Sequence, residues 1–155
     1  MNPKHAHYVV VTGVVVKDGK FLVTKRAADE DFFADKWTIP GGKIETSDYI
    51  HRPTKTEKQW YNVFEDALRR EIMEEVGLLI SNIKYLTNLT FIRKDNVPVV
   101  VVSLYADHME GSVKLNSELS EYAWVDINEA RNYDFIEGIY EELVLLDKVL
   151  KKQNL

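Results

Sequence analysis

The sequence predicts an α/β (α+β) fold in which a mixed β-sheet carries helices on its faces. Segments rich in β-branched residues follow the order two strands, one strand, a helix, two strands, one strand and closing helices. Two segments, 63–78 and about 135–151, instead place apolar residues at spacings of three and four, the helical period. At 155 residues, we expect a single domain over 1–155 with one core.

The N-terminal part predicts a β-hairpin followed by a glycine turn. Residues 8–16 are β-branched almost throughout, 17–20 read Lys-Asp-Gly-Lys, and 21–25 return as a second strand. A short strand-like segment at 37–39 leads into Pro40-Gly41-Gly42, where a turn with exposed carbonyl groups is expected.

Residues 46–61 predict a long loop. They show no periodicity, contain Pro53 and carry a local excess of basic side chains. One short turn of helix is compatible with this pattern. Contact with a substrate and simple flexibility both explain a loop of this length.

The C-terminal half predicts three more strands and two helices. Strands are expected at 83–93, 97–107 and 118–125, and the second is apolar at every position from 99 to 102, as in a central strand covered on both faces. Asp126 or Asn128 could cap a short helix that runs through Arg131. The closing helix spans about 135–151.

An acidic cluster interrupts the apolar face of the predicted helix at 63–78. The apolar stripe consists of Phe64, Ala67, Leu68, Ile72 and Val76. Glu71 and Glu75 project into the same arc, and Glu74 lies at its edge. Each like-charge pair at this spacing costs roughly 0.2–0.5 kcal/mol, and the C-terminal end of a helix disfavours anions. A solvated surface does not explain this choice, so the cluster predicts ligands for a hard divalent cation.

The composition excludes several classes of protein. The chain has no cysteine, which rules out disulfides, thiolate metal sites and a cysteine nucleophile. No apolar run approaches the roughly 20 residues that span a bilayer, and the N-terminus lacks a signal-peptide pattern, so a cytoplasmic protein is expected. The net charge of −5 argues against broad nucleic-acid binding.

Residues 70–78 resemble the signature of the Nudix hydrolases, G-x5-E-x7-R-E-U-x-E-E-x-G-U, where U is aliphatic. The second half of that signature stands complete as Arg-Glu-Ile-Met-Glu-Glu-Val-Gly-Leu. Upstream, 25–29 and 40–45 are similar to segments of MutT-type members of the family. Downstream, Glu118 precedes Trp124-Val125 as an additional acidic residue precedes the last strand in those proteins. The resemblance implies a Nudix-type α/β/α sandwich.

The sequence departs from the signature at one place. Gly42 and Arg70 are separated by 27 residues, where the signature has 13, so an inserted loop lies at about 46–61. The first glutamate of the signature belongs eight positions before Arg70, and that position is Asn62. The supporting role of the glutamate is therefore unassigned. Glu45 or Glu57 could replace it by folding back, or no residue replaces it.

The resemblance implies a metal site. Glu71, Glu74 and Glu75 would bind one or more Mg²⁺ ions, with Mn²⁺ as the alternative, and the Gly41 carbonyl would complete the oxygen ligands. Carboxylate and carbonyl oxygens are the ligands that Mg²⁺ prefers. Arg70 would orient a carboxylate of the cluster.

The resemblance also implies residues that act on the substrate. Glu118 and then Glu75 are the candidate general bases. Arg26 matches a position near the substrate phosphates in MutT-type proteins, and Lys43 is the second candidate for substrate binding. An exposed strand-end arginine is the alternative interpretation of Arg26.

The expected activity is Mg²⁺-dependent hydrolysis of a phosphoric anhydride in a nucleoside diphosphate linked to another group. A nucleoside triphosphate cleaved to the monophosphate and pyrophosphate is the leading subtype. An ADP-ribose or dinucleotide pyrophosphatase and a non-catalytic nucleotide sensor are the alternatives. Homodimers are common in the family, and no stable nucleic-acid partner is expected. Five aromatic residues could stack on a base or belong to the core: Phe32, Phe33, Trp37, Trp60 and Tyr133.

Overall fold

The computed structural model describes residues 2–154. Its strands and helices, in chain order, are β1 (Tyr8–Lys17), β2 (Lys20–Arg26), β3 (Trp37–Thr38), β4 (Gly41–Lys43), α1 (Val63–Val76), β5 (Leu79–Ile92), β6 (Pro98–Glu110), β7 (Leu119–Val125), α2 (Ile127–Ala130) and α3 (Ile139–Gln153). Single 3-10 turns lie at Pro3–His5 and Thr46–Asp48, and the second of these is the short helical turn predicted in the inserted loop.

The strands form one mixed sheet. Its main order is β3-β2-β1-β6-β5, with β4 also paired to β1 and β7 to β2. Strands β1 and β6 run parallel, and the remaining pairs are antiparallel. Strand β6 lies between β1 and β5, which agrees with the uninterrupted apolar run from Val99 to Val102. The predicted mixed sheet is confirmed.

Helices cover both faces of the sheet because the side chains of its strands alternate. On β1, Val11 and Val15 pack with the α1 residues Leu68 and Ile72, whereas Val14 packs on the other face with Leu143 of α3. The period of two along a strand separates these neighbours into two apolar layers. The predicted sandwich of helices around a mixed sheet is therefore confirmed.

Helix α1 follows the predicted stripe with one exception. Ala67, Leu68, Ile72 and Val76 are fully buried, whereas Phe64, in the first turn of the helix, is 38% exposed. The helix ends where Gly77 takes a left-handed conformation (φ 71°). The N–H of Gly77 donates to the carbonyl groups of Ile72 and Met73 at 3.1 Å each, the expected glycine stop.

Three predicted boundaries were wrong. Gly41 and Gly42 form strand β4, paired with β1, rather than a turn. Strand β5 begins at Leu79 instead of position 83, because the register shifts near Ser81 let the strand continue through Asn82, whose φ is 52°. Helix α3 begins at Ile139 instead of position 135, because the backbone there runs beside β3 and the Ile136 N–H donates to the Trp37 carbonyl at 2.9 Å.

The inserted loop folds back onto α1. Arg52 pairs with Asp66 in the first turns of the helix, and the Trp60 indole N–H donates to the Arg52 carbonyl at 2.8 Å. The rings of Tyr49 and Trp60 lie 5.3 Å apart. The loop is thus attached to the helix that carries the acidic cluster. Within residues 2–154, no helix is long and apolar enough to cross a membrane.

Candidate active site

The site forms where strand β4 passes against helix α1. Strand β4 also lies against β1, where a Cβ atom on Gly41 would lie 2.4 Å from the Val11 carbonyl oxygen. On Gly42, a Cβ atom would lie 2.2 Å from the carboxylate of Glu71. Neither glycine has a positive φ. The pair is therefore needed for close approach and not for a turn.

Glu75 is a buried carboxylate that faces β4. It is 7% exposed, and its Oε2 accepts a hydrogen bond from the Gly41 N–H at 3.3 Å. Burial raises the pKa of Glu75 to about 8, and the negative charge of Glu71 adds to the increase. The observed contact of Gly41 uses its N–H, so the carbonyl ligand expected from the sequence stays a prediction.

Glu71 is the second buried carboxylate, at 9% exposure. Burial raises its pKa, a shift that Arg70 opposes and that Glu74 and Glu118 reinforce. Arg70 Nη1 donates to Glu71 Oε1 at 2.8 Å and to Glu74 Oε2 at 3.2 Å. Glu74 itself is mostly exposed, with 56% of its side chain accessible. One guanidinium group thus contacts two of the three predicted ligands, and the orienting role implied for Arg70 stays a prediction.

The other side of the Arg70 guanidinium contacts residues before the helix. Its Nη2 donates to the Lys43 carbonyl at 3.1 Å and to Asp48 Oδ2 at 3.2 Å, and its Nε donates to Asp48 Oδ1. Sequence reasoning missed Asp48. The sequence offers Glu45, Glu57 or no residue as the replacement for the first signature glutamate, and neither glutamate contacts Arg70 among the hydrogen bonds and ion pairs of residues 2–154.

Glu118 is held near the two buried carboxylates by its backbone. The Ala27 N–H donates to the Glu118 carbonyl at 2.9 Å, and the Glu118 N–H donates to Asn116 Oδ1 at 3.1 Å. The Asn116 N–H in turn donates to the Glu75 carbonyl at 3.0 Å. Glu118 is exposed, yet it is close enough for its charge to raise the pKa of both Glu71 and Glu75.

A cavity of about 230 Å³ joins these residues to the predicted substrate-binding ones. It is lined by Val10, Thr12, Arg26, Phe33, Thr38, Ile39, Gly41, Gly42, Lys43, Glu75, Glu118 and Leu119. Arg26 Nε donates to the Phe32 carbonyl at 2.8 Å, which braces the loop after β2. The Lys43 ammonium lies 4.9 Å from the ring of Tyr8. Both cationic residues therefore line the same cavity as Glu75 and Glu118.

The five aromatic residues that could stack on a base lie in different parts of the structure. Trp37 and Tyr133 pack within the apolar layer beside α3, and Trp60 stacks on Tyr49 in the inserted loop. Phe32 lies against Arg93, 4.8 Å from its guanidinium carbon. Phe33 alone of the five lines the cavity, at 45% exposure and with a positive φ of 56°.

The donor set fits a hard divalent cation. In the part of the chain that the structure describes, no three Asp, Glu or His side chains are close enough to form a metal-binding group. Glu71 and Glu74 instead accept hydrogen bonds from Arg70, and Glu75 accepts one from the Gly41 N–H. Two buried carboxylates side by side are nevertheless costly unless a cation compensates them. Burial accordingly raises the pKa of both Glu71 and Glu75, since it disfavours their charged forms.

Comparison with known proteins gives a family match over most of the chain. The model of the NUDIX domain matches residues 7–144. The chain is 30% identical over 135 residues to the nucleoside triphosphatase NudI of Escherichia coli, an alignment that covers 81% of this chain and 86% of the relative.

Solved structures share the fold. A MutT NUDIX hydrolase from Burkholderia pseudomallei superposes with a TM-score of 0.72 at 20% identity, covering 91% of this chain and 98% of that one. The NUDIX domain of Shewanella oneidensis NrtR, solved with ADP ribose, gives a TM-score of 0.72 at 18% identity, covering 97% and 94%.

Proposed function

Because this chain belongs to the Nudix hydrolase family, we propose that it is an Mg²⁺-dependent pyrophosphohydrolase that converts a nucleoside triphosphate to the monophosphate and pyrophosphate. One observation carries the proposal: a single cavity is lined by the buried Glu75, the exposed Glu118 and the two cationic residues Arg26 and Lys43. The nucleoside triphosphatase relative at 30% identity supports the choice of substrate.

Glu71, Glu74 and Glu75 would hold the cation, which when bound supplies positive charge to neutralise the phosphates and activates water. Arg26 and Lys43, which line the same cavity, bind phosphate oxygens. Arg26 is suited to this role because its Nε is fixed on the Phe32 carbonyl and its Nη2 pairs with Glu30 Oε2 at 3.5 Å, so its guanidinium group is held in place beside the cavity.

Glu118 acts as the general base. Water attacks one of the two phosphorus atoms joined by the α–β bridging oxygen, and the bond from that phosphorus to the bridging oxygen breaks. The nucleoside monophosphate and pyrophosphate separate, one carrying the oxygen of the water and the other the bridging oxygen, and the proton of the water passes to the Glu118 carboxylate. Glu118 suits this role better than Glu75 because it is exposed to the cavity, whereas the raised pKa of the buried Glu75 favours its protonated form at neutral pH unless a cation is bound.

Phe33 binds the nucleobase. Its ring is exposed at the cavity wall, and an exposed aromatic ring beside a phosphate site offers a stacking surface that tolerates different bases. The left-handed backbone at Phe33 (φ 56°) is unusual for an aromatic residue and indicates that its loop fixes the ring in this place.

The test is a hydrolysis screen with identified products, run with Mg²⁺ and with Mn²⁺ on ribo- and deoxynucleoside triphosphates, ADP-ribose and dinucleoside polyphosphates. We expect the monophosphate and pyrophosphate from a triphosphate. The variant E75Q should be inactive, and E141Q should match the wild type because Glu141 lies on α3, on the opposite face of the sheet.

Other outcomes would identify the alternatives. Cleavage of ADP-ribose or a dinucleotide in preference to every triphosphate would replace the proposed substrate. Tight binding of one nucleotide with no product from any would establish a sensor and overturn the hydrolase proposal.

A further inference from the structure

The helix position that should support Arg70 carries no carboxylate. Asn62 stands there, at the start of α1, with a left-handed backbone (φ 61°) and no side-chain hydrogen bond to the helix. Arg70 nevertheless needs an anionic partner on the side away from the cluster, because its side chain is only 25% exposed and a half-buried cation is costly unless it is paired.

Asp48 from the inserted loop meets that need. Its Oδ1 accepts from Arg70 Nε, and its Oδ2 accepts from Arg70 Nη2 at 3.2 Å. Two parallel hydrogen bonds between a carboxylate and a guanidinium group fix the plane of the guanidinium as well as its position. The side chain of Asp48 is 2% exposed, so this contact is shielded from solvent.

The inserted loop is built to hold Asp48 in place. The Glu45 N–H donates to Asp48 Oδ2 at 2.8 Å, which caps the start of the 3-10 turn that carries the aspartate. After the turn, the Arg52–Asp66 ion pair and the Trp60–Arg52 hydrogen bond attach the loop to α1. Both flanks of Asp48 are thus fixed to elements of the site.

We propose that Asp48 is a positioning residue that holds Arg70 in the orientation that places Glu71 and Glu74, so that the insertion supplies the support that Asn62 lacks. Arg70 transmits the effect because its Nη1 contacts both Glu71 and Glu74. As far as turnover is concerned, the inference rests on the proposed function. Cation binding tests it separately.

Asp48 does not itself bind the cation. Both of its oxygens already accept hydrogen bonds, from Arg70 and from the Glu45 backbone, and its side chain has almost no accessible surface. It also does not line the cavity that holds Glu75 and Glu118. Its effect must therefore pass through Arg70.

The experiment measures Mn²⁺ affinity by the electron paramagnetic resonance signal of free Mn²⁺, together with kcat and KM, in the full chain. We expect D48N to weaken Mn²⁺ binding and to lower kcat by about 10- to 100-fold, the range for groups that orient metal ligands, with a small change in KM. D48E should recover part of both. D134N is the matched control, since Asp134 pairs with Lys36 outside this site.

A double-mutant cycle separates positioning from a direct role. In an R70Q background, D48N should change Mn²⁺ affinity and kcat by no more than about twofold, because the two residues act as one unit. Full additivity of D48N and R70Q would overturn the proposal, as would D48N with wild-type affinity and kcat. Circular dichroism establishes that each variant is folded, and if D48N is not, D48E takes its place in the cycle with the same expectation.

The result is independent of the proposed reaction. If the wild type binds Mn²⁺ but cleaves no nucleotide, the proposed function fails, and the Mn²⁺ cycle still decides whether Asp48 positions Arg70.

Discussion

A Cβ atom at position 42 would lie 2.2 Å from Oε1 of Glu71, so the Glu71 carboxylate occupies the space that any side chain on Gly42 would need. Helix α1 and strand β4 are therefore fitted to each other at the site itself. The fit links the glycine pair to the acidic cluster.

The variant G42A should lose activity more than stability. The added methyl group displaces the end of a flexible side chain, so the fold tolerates it, but a shift of about 1 Å in a site group can cost roughly 100-fold in rate. We expect kcat to fall by about that factor while the unfolding temperature changes little.

G41A is the contrasting control for that variant. Its methyl group would meet the Val11 carbonyl oxygen at 2.4 Å, a backbone atom that cannot move without disturbing β1. G41A should lower the unfolding temperature far more than G42A. Equal losses of stability, or full activity in G42A, would contradict the close fit between Gly42 and Glu71.

Stability in the presence of a chelator should depend on pH through Glu75. Folding raises its pKa from an ordinary value of 4.5 to about 8, so the folded state binds the proton more tightly than the unfolded state. The stabilisation is complete below pH 4.5 and is lost as pH rises through about 8, a decrease on the order of a few kcal/mol. Thermal unfolding with EDTA from pH 4.5 to 9 measures it.

The variant E75Q isolates this contribution because its amide does not titrate. In EDTA at pH 8, E75Q should unfold at a higher temperature than the wild type, although its turnover is lost. Added Mg²⁺ should raise the unfolding temperature of the wild type at pH 8 and leave that of E75Q nearly unchanged. If E75Q is less stable than the wild type at pH 8 in EDTA, the interpretation of Glu75 as a destabilising buried anion is wrong.

Substitutions of Glu118 and of Glu75 should have different effects on kcat and on cation affinity. Glu118 is exposed at the cavity, so E118Q should lower kcat by roughly 10²- to 10⁴-fold, the range for loss of a general base, with Mn²⁺ affinity changed much less. E75Q should weaken Mn²⁺ binding directly. Mn²⁺ titration and steady-state kinetics on both variants decide the assignment, and an E118Q variant with normal kcat would exclude Glu118 as the base.

A buried carboxylate outside the site should destabilise the protein. Glu142 on α3 is 7% exposed, and its Oε1 has no hydrogen-bond partner within residues 2–154. Burial raises its pKa, an effect that Ser103 opposes and the charge of Glu141 reinforces. The folded state therefore favours the protonated acid, and stability decreases as pH rises above 4.5. We expect E142Q to gain about 1 kcal/mol at pH 7.

Chemical denaturation of E142Q at pH 5 and pH 8 checks this prediction. The gain should be larger at pH 8, and turnover should stay unchanged because α3 packs on the face of the sheet away from α1. E141Q, which alters the exposed neighbouring carboxylate, should show no comparable gain.

Much of the fold could be predicted because local pattern and tertiary packing agree. The helical spacing of Ala67, Leu68, Ile72 and Val76 marks the buried face of α1, and the valines of β1 alternate between two apolar layers. Predicted ends of helices and strands were wrong where hydrogen bonds to a neighbouring element determine the backbone conformation. Residue 136, for example, lies in a helical pattern, but its N–H donates to the Trp37 carbonyl of β3.

The acidic cluster on α1 follows from the local sequence alone. Glu71 and Glu75 share an arc with apolar residues because a helix repeats every 3.6 residues, and this fact requires no knowledge of the rest of the chain. The family resemblance also comes from this helix, through residues 70–78, whereas the mixed sheet with helices on both faces follows from the order of the strand-like and helical segments.

The residues that complete the site are set by contacts between distant parts of the chain. Asp48 lies 22 positions from Arg70 in a loop without periodicity, and no local rule states which carboxylate of such a loop will reach a distant guanidinium group. The same holds for Gly42. A side chain at this position is excluded by Glu71, which lies on another element. Contacts of this kind depend on how the elements pack against each other, and spacing along the chain does not encode them locally.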